Sequence, residues 1–531
     1  MVKIINDARS SVGKGTKYAA LTYCWGPPST KKIKYLNLTA QDLKEMAEGI
    51  PIDDDLPLVF QDAVQTARAL KMRYLWIDAL CIAQGDQEEW KTESLAMREV
   101  YAGAHVTISA NAAPTCHDSF LKMPGRRGRA GFDICKGRSY FGSRIMARFP
   151  DDGTLGENDI YRLHSRGWTL QELLLSTRVI SFLFDQAYFS CAENHLSRED
   201  GYLTSWNPCD YPQQTTTLRK WWSQLVSAPK IRSRMVPDEE LLDLWRDLVE
   251  EYTTRDLSNL DDRLPAISGL AAQLKQQFSP RMTEYCAGLW TKDFVNGLCW
   301  FRDGNEIWTP PTKSPSWSWV SCPGEVDYEV YSDSQPLARL ATINRLSEQK
   351  EFKNIDAPEH DDELPALDPS LVSSEFGHVE SAEATIEGRM FEVDLRFQKN
   401  GEAYVQEGCI RGLSKRECQL SFYMDRQAGS DETSGPSIRR SMREDYPDDF
   451  WDHGGTVLLL ALSEHGLPLR TLLVRHLILV RSTTKSDKYL RVGLCEANLN
   501  WDFLPDIPKS YHGGVFDSWM AHFKLGCITI I

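Results

Sequence analysis

Between residues 18 and 184, apolar runs of strand length alternate with amphipathic helix signals, and this order constrains the chain more than any other feature. Tyr18-Ala19-Ala20-Leu21-Thr22-Tyr23-Cys24-Trp25 reads as a buried strand ended by Gly26-Pro27-Pro28. Asp53-Asp54-Asp55-Leu56-Pro57 supplies a helix start, and Phe60, Ala63, Val64, Ala67 and Leu70 then recur at helical spacing on one stripe. The run from Tyr74 through Ile82 is apolar on both faces and predicts a central parallel strand, with Asp78 and Cys81 inside it. A helix is expected over residues 87–104, with Trp90, Met97 and Tyr101 on one face, and a third strand over 105–110. A helix opening near Arg166 and a strand-like run over 179–184 complete the series. Such alternation predicts an α/β domain built on a parallel sheet with right-handed crossovers.

The chain has 531 residues, too many for one core. The α/β domain is expected over residues 15–195, with an insertion over about 112–165 rich in Arg, Lys and Gly. Such an insertion is read either as a phosphate-contacting loop or as a solvated surface excursion. Residues 200–330 read as mainly helical and Trp-rich. Residues 345–395 read as a flexible acidic linker, because positions 351–390 hold eleven acids and two bases. Residues 396–531 read as a β-rich module.

Composition narrows function by exclusion. A net charge of −15 argues against a nucleic-acid partner, which needs a basic footprint. Thirteen cysteines, an odd number without a Cys-x-x-Cys pair, predict reduced thiols in a cytoplasmic protein and neither a structural zinc site nor a disulfide scaffold. The N-terminus has no apolar core of signal-peptide length, and charged residues break the apolar stretch 457–480, so no membrane span is expected. Sixteen tryptophans need no ligand, since large buried aromatics account for them. Gly13-Lys14-Gly15-Thr16 lacks the glycine and order of a phosphate loop, and no Gly-x-Gly-x-x-Gly follows a predicted strand.

The chemistry-bearing candidate is Arg166-Gly167-Trp168-Thr169-Leu170-Gln171-Glu172. A four-residue step on a helix returns to the same face, so Trp168 and Glu172 are expected to share a space beside a sheet edge, where ligands of open α/β sheets bind. The competing explanation is that an acid near a helix N-terminus merely complements the dipole. Asp78, inside an apolar strand, needs a partner and reads first as structural support. Cys81 is a weaker candidate nucleophile, with His105 and His164 as conceivable bases.

Three blocks together resemble the fungal heterokaryon-incompatibility (HET) domain: residues 18–26, the block from Tyr74 through Gln84 with Trp90, Glu93, Met97 and Tyr101 beyond it, and residues 166–172. Asp262-Arg263-Leu264-Pro265-Ala266-Ile267-Ser268-Gly269, Ala287-Gly288-Leu289-Trp290 and Pro315-Ser316-Trp317-Ser318-Trp319 resemble the usual tail of such proteins. Gly85 departs from the acid that often follows the glutamine there. The resemblance implies non-self recognition and programmed cell death. It also implies a distant likeness to the Toll/interleukin-1 receptor (TIR) domain, a flavodoxin-like parallel sheet whose Trp-Cys-x-x-Glu glutamate cleaves NAD in some members. Carried over, Glu172 is the catalytic residue, and Tyr23, Trp25, Gly26, Arg166 and Trp168 bind substrate. Asp78, Cys81, Gln84 and Gln171 support them, and Arg166 either meets a phosphate or pairs with Asp78. The likeness implies NAD as substrate without a bound cofactor, homo-oligomers that complete the site, and an external protein trigger. It equally allows a non-catalytic signalling adaptor; a Cys81-based hydrolase is the further alternative.

Overall fold

The computed structural model describes residues 2–5, 13, 15–27, 34–36, 38–46, 49–50, 52, 56–85, 87–122, 132–133, 146–147, 162–183, 187–191, 196–198, 213–226, 236–282, 284–302, 314–322, 324–330, 334–345, 376, 379, 381–398, 403–405, 418–424, 450, 454–467, 471–500 and 513–531. Two compact units form: Met1–Met235 with Arg255–Leu257 and Ala266–Gln273, and Val236–Thr254 with Ser258–Pro265 and Leu274–Ile531.

The first unit is the predicted α/β domain. Its elements are β1 (Tyr18–Thr22), α1 (Ala40–Glu45), α2 (Leu58–Ala69), β2 (Tyr74–Trp76), α3 (Asp78–Cys81), α4 (Gln87–Gly103), β3 (Val106–Ser109), α5 (Gly167–Leu175), β4 (Arg178–Phe182), β5 (Ala187–Cys191), β6 (Leu196–Arg198) and α6 (Gln213–Leu225). The sheet order is β2-β1-β3-β4-β5-β6. β1 runs parallel to β2 and β3, β3 parallel to β4, and the last two pairings are antiparallel. The chain steps from β1 to β2 on one side and returns to β3 on the other, so a switch in strand order lies at β1. The outward ends of β1 and β3 at such a switch form the crevice that α/β sheets use for ligands. β1 and β3 are buried, and Phe60 and Ala63 of α2 pack with Ala19, Leu21, Val106 and Ile108 in one core.

One expectation is corrected in this unit. The run from Tyr74 to Ile82 is not a long central strand. Only Tyr74–Trp76 extends, half-buried at the sheet edge, and Asp78 then opens a helical turn. The Asp78 carboxylate accepts the N–H of Ala79 at 2.6 Å, a local bond that competes with strand pairing. In the basic insertion, most of the Arg and Lys residues lie outside the described residues.

The second unit centres on a closed ring of strands. β7 (Ala338–Arg345) lies outside β8 (Ala382–Phe397), and β9 (Cys418–Met424) pairs with β12 (Lys488–Asn500). β10 (Gly455–Leu467), β11 (Thr471–Arg481), β12 and β13 (Lys524–Ile530) follow one another, and both β10 and β13 pair with β8. The five-strand ring β8-β10-β11-β12-β13 leaves no free edge among its members, which removes an aggregation liability. Its core includes Val393, Leu459, Val474, Val492 and Trp519. The acidic linker predicted over 345–395 therefore has the wrong end: β8 begins at Ala382. Alternation of Ala382, Ala384 and Ile386 buried against half-buried Glu383, Thr385 and Glu387 is a strand signal that the acid count obscured. Positions 346–375 lie outside the described residues. The region 200–330 is helical through α7 (Asp238–Thr253) and α8 (Pro265–Phe278), but beyond it forms two-residue strands, 3₁₀ turns and a four-residue helix, Phe294–Gly297.

The tryptophan-rich motifs of the second unit build its core. Trp317 and Trp319 are fully buried. The indole N–H groups of Trp245 and Trp319 both donate to the Gly288 carbonyl, at 3.0 and 3.1 Å. Gly288 has φ +92°, and a Cβ there would stand 2.5 Å from the Trp319 indole nitrogen, so both conformation and space require glycine. Among the described residues, no helix is long and apolar enough to cross a membrane.

Candidate functional site

At the outward end of β1, the chain leaves the sheet through Tyr23, Cys24, Trp25 and Gly26. Gly26 has φ +100°, a left-handed conformation that lets the chain turn toward Pro27. Asp78, at the end of β2, gathers this loop. Its two carboxylate oxygens accept the Tyr23 hydroxyl at 2.7 Å and the Trp25 indole N–H at 2.9 Å. With the bond from Ala79, three donors meet one carboxylate, which answers the cost of placing an acid there. Burial and the neighbouring Asp78 push the Tyr23 phenol well above its ordinary range.

From the other side comes α5. Arg166 stands just before it and donates to the Tyr23 carbonyl. Arg166 thus binds the loop backbone, which selects neither of the two roles expected from the sequence. Burial works against its charge, but Glu172, Cys24 and Asp78 outweigh that and hold the guanidinium pKa up. Glu172 is 5% exposed. Burial pushes its carboxyl up to about 7, opposed by Arg166 and by the hydroxyls of Thr22 and Tyr101, and assisted by Asp78. The Thr22 hydroxyl stands close enough to act on the carboxyl without reaching normal hydrogen-bond geometry. The Tyr101 hydroxyl, from α4, also donates to the Leu21 carbonyl at 3.1 Å. Glu172 therefore faces the end of β1, near Thr22, Arg166 and Tyr101, and not the Trp168 indole that the helical spacing had set beside it.

The structure brings together Tyr23, Trp25, Asp78, Arg166 and Glu172. It assigns other work to the remaining candidates. Trp168 packs edge-to-face on Trp90, centroids 6.0 Å apart. Gln171 is fully buried and accepts the Gly269 N–H at 2.7 Å. The Gln84 amide donates to the Ile82 carbonyl at 3.0 Å, and its backbone N–H to the Leu38 carbonyl at 2.7 Å. Cys81 exposes much of its surface, which eases ionisation. The protein around the thiol desolvates it and pushes it up to about 12, and Asp78 and Glu93 act in the same direction. Both carboxylates oppose a thiolate however much solvent reaches the sulfur, so Cys81 is a neutral thiol at physiological pH. Neither conceivable base serves it. His105 lies at the opposite end of β3 beside Lys17 and Arg178, and His164 meets the Asn111 amide at 2.7 Å.

Sequence reasoning missed Thr22 and Tyr101 as groups around Glu172, although both lay in quoted motif blocks. It also missed the Ser109–Asn111–His164 chain at the end of β3, with bonds of 2.6 and 2.7 Å. Burial drives the His164 imidazole down to about 3, so it is neutral. A surface depression lined by Ile52, Gln61, Asp62, Arg68 and Lys122 shares no residue with the Glu172 cluster.

The cluster holds one buried carboxyl, raised toward neutrality by burial, beside Arg166 at the mouth of a parallel sheet. The family described as heterokaryon incompatibility protein (HET) matches residues 18–172, the span from the first residue of β1 to Glu172 itself. No curated protein and no solved structure matches the chain significantly. The match lies within the first unit, which carries the HET domain.

Proposed function

We propose that this chain is an effector of heterokaryon incompatibility whose HET domain hydrolyses the nicotinamide–ribose bond of NAD, in the manner of TIR-like enzymes, to arrest or kill the cell. The observation that carries the reading is the position of Glu172 beside Arg166 and the end of β1, with its carboxyl poised near neutrality. A cationic nicotinamide ring entering beside that carboxyl favours its ionised form. As the bond between ribose C1′ and the ring nitrogen breaks, the electron pair leaves with nicotinamide, which becomes neutral. The positive charge that develops on the ribose is stabilised by the Glu172 carboxylate. Water then adds its oxygen to C1′ and releases a proton. The Trp25 indole, oriented by Asp78, supplies an aromatic face for the cationic ring. Glu172 is buried, so the loop through Gly26 must move to admit substrate.

That same burial favours a second reading, a non-catalytic signalling module in which Glu172 and Arg166 simply hold α5 to β1. Incubating the purified full chain with NAD and following free nicotinamide separates the two. The enzymatic reading expects release by the native protein and at least a 100-fold loss in Glu172→Gln with the fold retained. Release that is equal in Glu172→Gln, or absent from both proteins under assembling conditions, sinks it and leaves the signalling module.

A further inference from the structure

The span matched by the family ends at Glu172, yet the helix carrying that residue is held by segments far downstream that belong to the same unit. The Gly167 N–H donates to the Asp256 carbonyl at 2.9 Å, and the Asp256 N–H donates to the Ser165 carbonyl at 2.5 Å. Buried Arg255 donates to the Thr169 hydroxyl at 3.1 Å. Two residues further along, the Gly269 N–H reaches Gln171 Oε1 at 2.7 Å. A Cβ at Gly269 would lie 2.5 Å from that oxygen and 2.9 Å from the Arg98 Cβ. Arg98 in turn donates to Gln273 at 2.7 Å. Glycine inside a helix is disfavoured, and the close approach to Gln171 gives the reason for it at position 269.

These contacts grip the first half of α5: at Ser165 and Gly167 before and at its first residue, at Thr169, and at Gln171. Thr169 and Gln171 are fully buried, and Glu172 follows directly. A helix of nine residues is too short to hold itself. Its position is therefore set by what binds its backbone and its inward side chains.

We infer that Arg255, Asp256 and Gly269 are positioning residues that complete the HET domain, by clamping at the Ser165 and Gly167 backbone, at Thr169 and at Gln171 the helix that presents Glu172. The domain that functions thus reaches Gln273, about a hundred residues past the matched span. This goes beyond the NAD reading and needs no activity to test.

The test uses the full chain with Gln171→Met, which keeps size but removes the acceptor, and Gly269→Ala, which adds the clashing Cβ. Amide hydrogen exchange over residues 169–175 should quicken about three- to ten-fold in both, with β10, β11 and β12 unchanged. If Gly269→Ala does not fold, Gln171→Met alone decides. The carboxyl titration of Glu172, isolated as an infrared difference against Glu172→Gln in each background, should move toward the ordinary acid range as the helix loosens. Unchanged exchange in α5, or an unmoved Glu172 titration whatever the exchange, overturns the assignment.

Discussion

Glu172 in the first unit and Glu496 in the second are equally buried, both 5% exposed, yet the chain handles them in opposite ways. Glu496 lies on β12 directly opposite Arg475 on β11, and the two bond at 2.8 Å with Arg475 only 2% exposed. The Tyr423 hydroxyl adds a longer contact at 3.4 Å. Strand register fixes both partners, so the acid is matched by one cation in one geometry. Glu172 stands on a short helix at the open end of a sheet. The cation nearest to it in charge terms, Arg166, spends a hydrogen bond on the Tyr23 carbonyl. The difference teaches where a buried acid stabilises and where it is held ready. Inside a closed ring of strands a charge is neutralised by a fixed partner; at strand ends it is left near its titration point.

The largest effect should come from breaking the matched pair. Arg475→Met leaves Glu496 buried without its cation and should cost the second unit about 3–5 kcal/mol, read by chemical denaturation. Replacing both residues with apolar ones of similar volume should recover most of that loss. A loss under 1 kcal/mol in the single variant would mean that the pair is no better satisfied than Glu172, and the contrast would collapse.

Glu172→Gln should act with the opposite sign. The folded protein holds this carboxyl at about 7 against an ordinary 4.5, so the native state binds the proton more tightly than the unfolded chain. Its contribution is fully present below pH 4.5 and is lost as pH rises through 7. Glutamine mimics the protonated acid. The variant should therefore match the native protein near pH 4 and exceed it at pH 8 by about 2–3 kcal/mol, measured as the difference between two pH–stability curves. Parallel curves would show that Glu172 is as well matched as Glu496.

The architecture was legible where local pattern and burial agree. β1, α2, α4 and β3 fall close to their predicted spans because apolar period and turn residues point the same way. The stretch from Tyr74 to Ile82 was misread because hydrophobicity does not separate a strand from a strand followed by one helical turn, and the polar residue that breaks the strand, Asp78, makes its deciding bond to its own neighbour. β8 was hidden by acids on its solvent-facing positions. Glu172 could be singled out from the spacing to Trp168, but the reason given was only partly right. Trp168 packs on Trp90, and the residues around Glu172 are Thr22, Tyr101 and Arg166, which come from three other parts of the chain. Gly269 and Arg255 were beyond reach as site residues, since nothing local says which helix they meet.

Asp78 sharpens the comparison inside the first unit, because it too is an acid at a strand end but resembles Glu496 in being matched, here by neutral donors. Tyr23, Trp25 and Ala79 supply three hydrogen bonds to its two oxygens. Asparagine in its place keeps one acceptor oxygen and turns an N–H₂ toward at least one of those donors, so a donor faces a donor. Asp78→Asn should cost about 1–2 kcal/mol of first-unit stability, read by chemical denaturation. It should also loosen the Trp25 indole, seen as a red shift and easier quenching of its fluorescence when the other tryptophans of the first unit are replaced by phenylalanine. A loss under about 0.5 kcal/mol with an unmoved Trp25 spectrum would mean that the three donors do not hold Asp78 as the register holds Glu496, and the likeness between the two acids would fail.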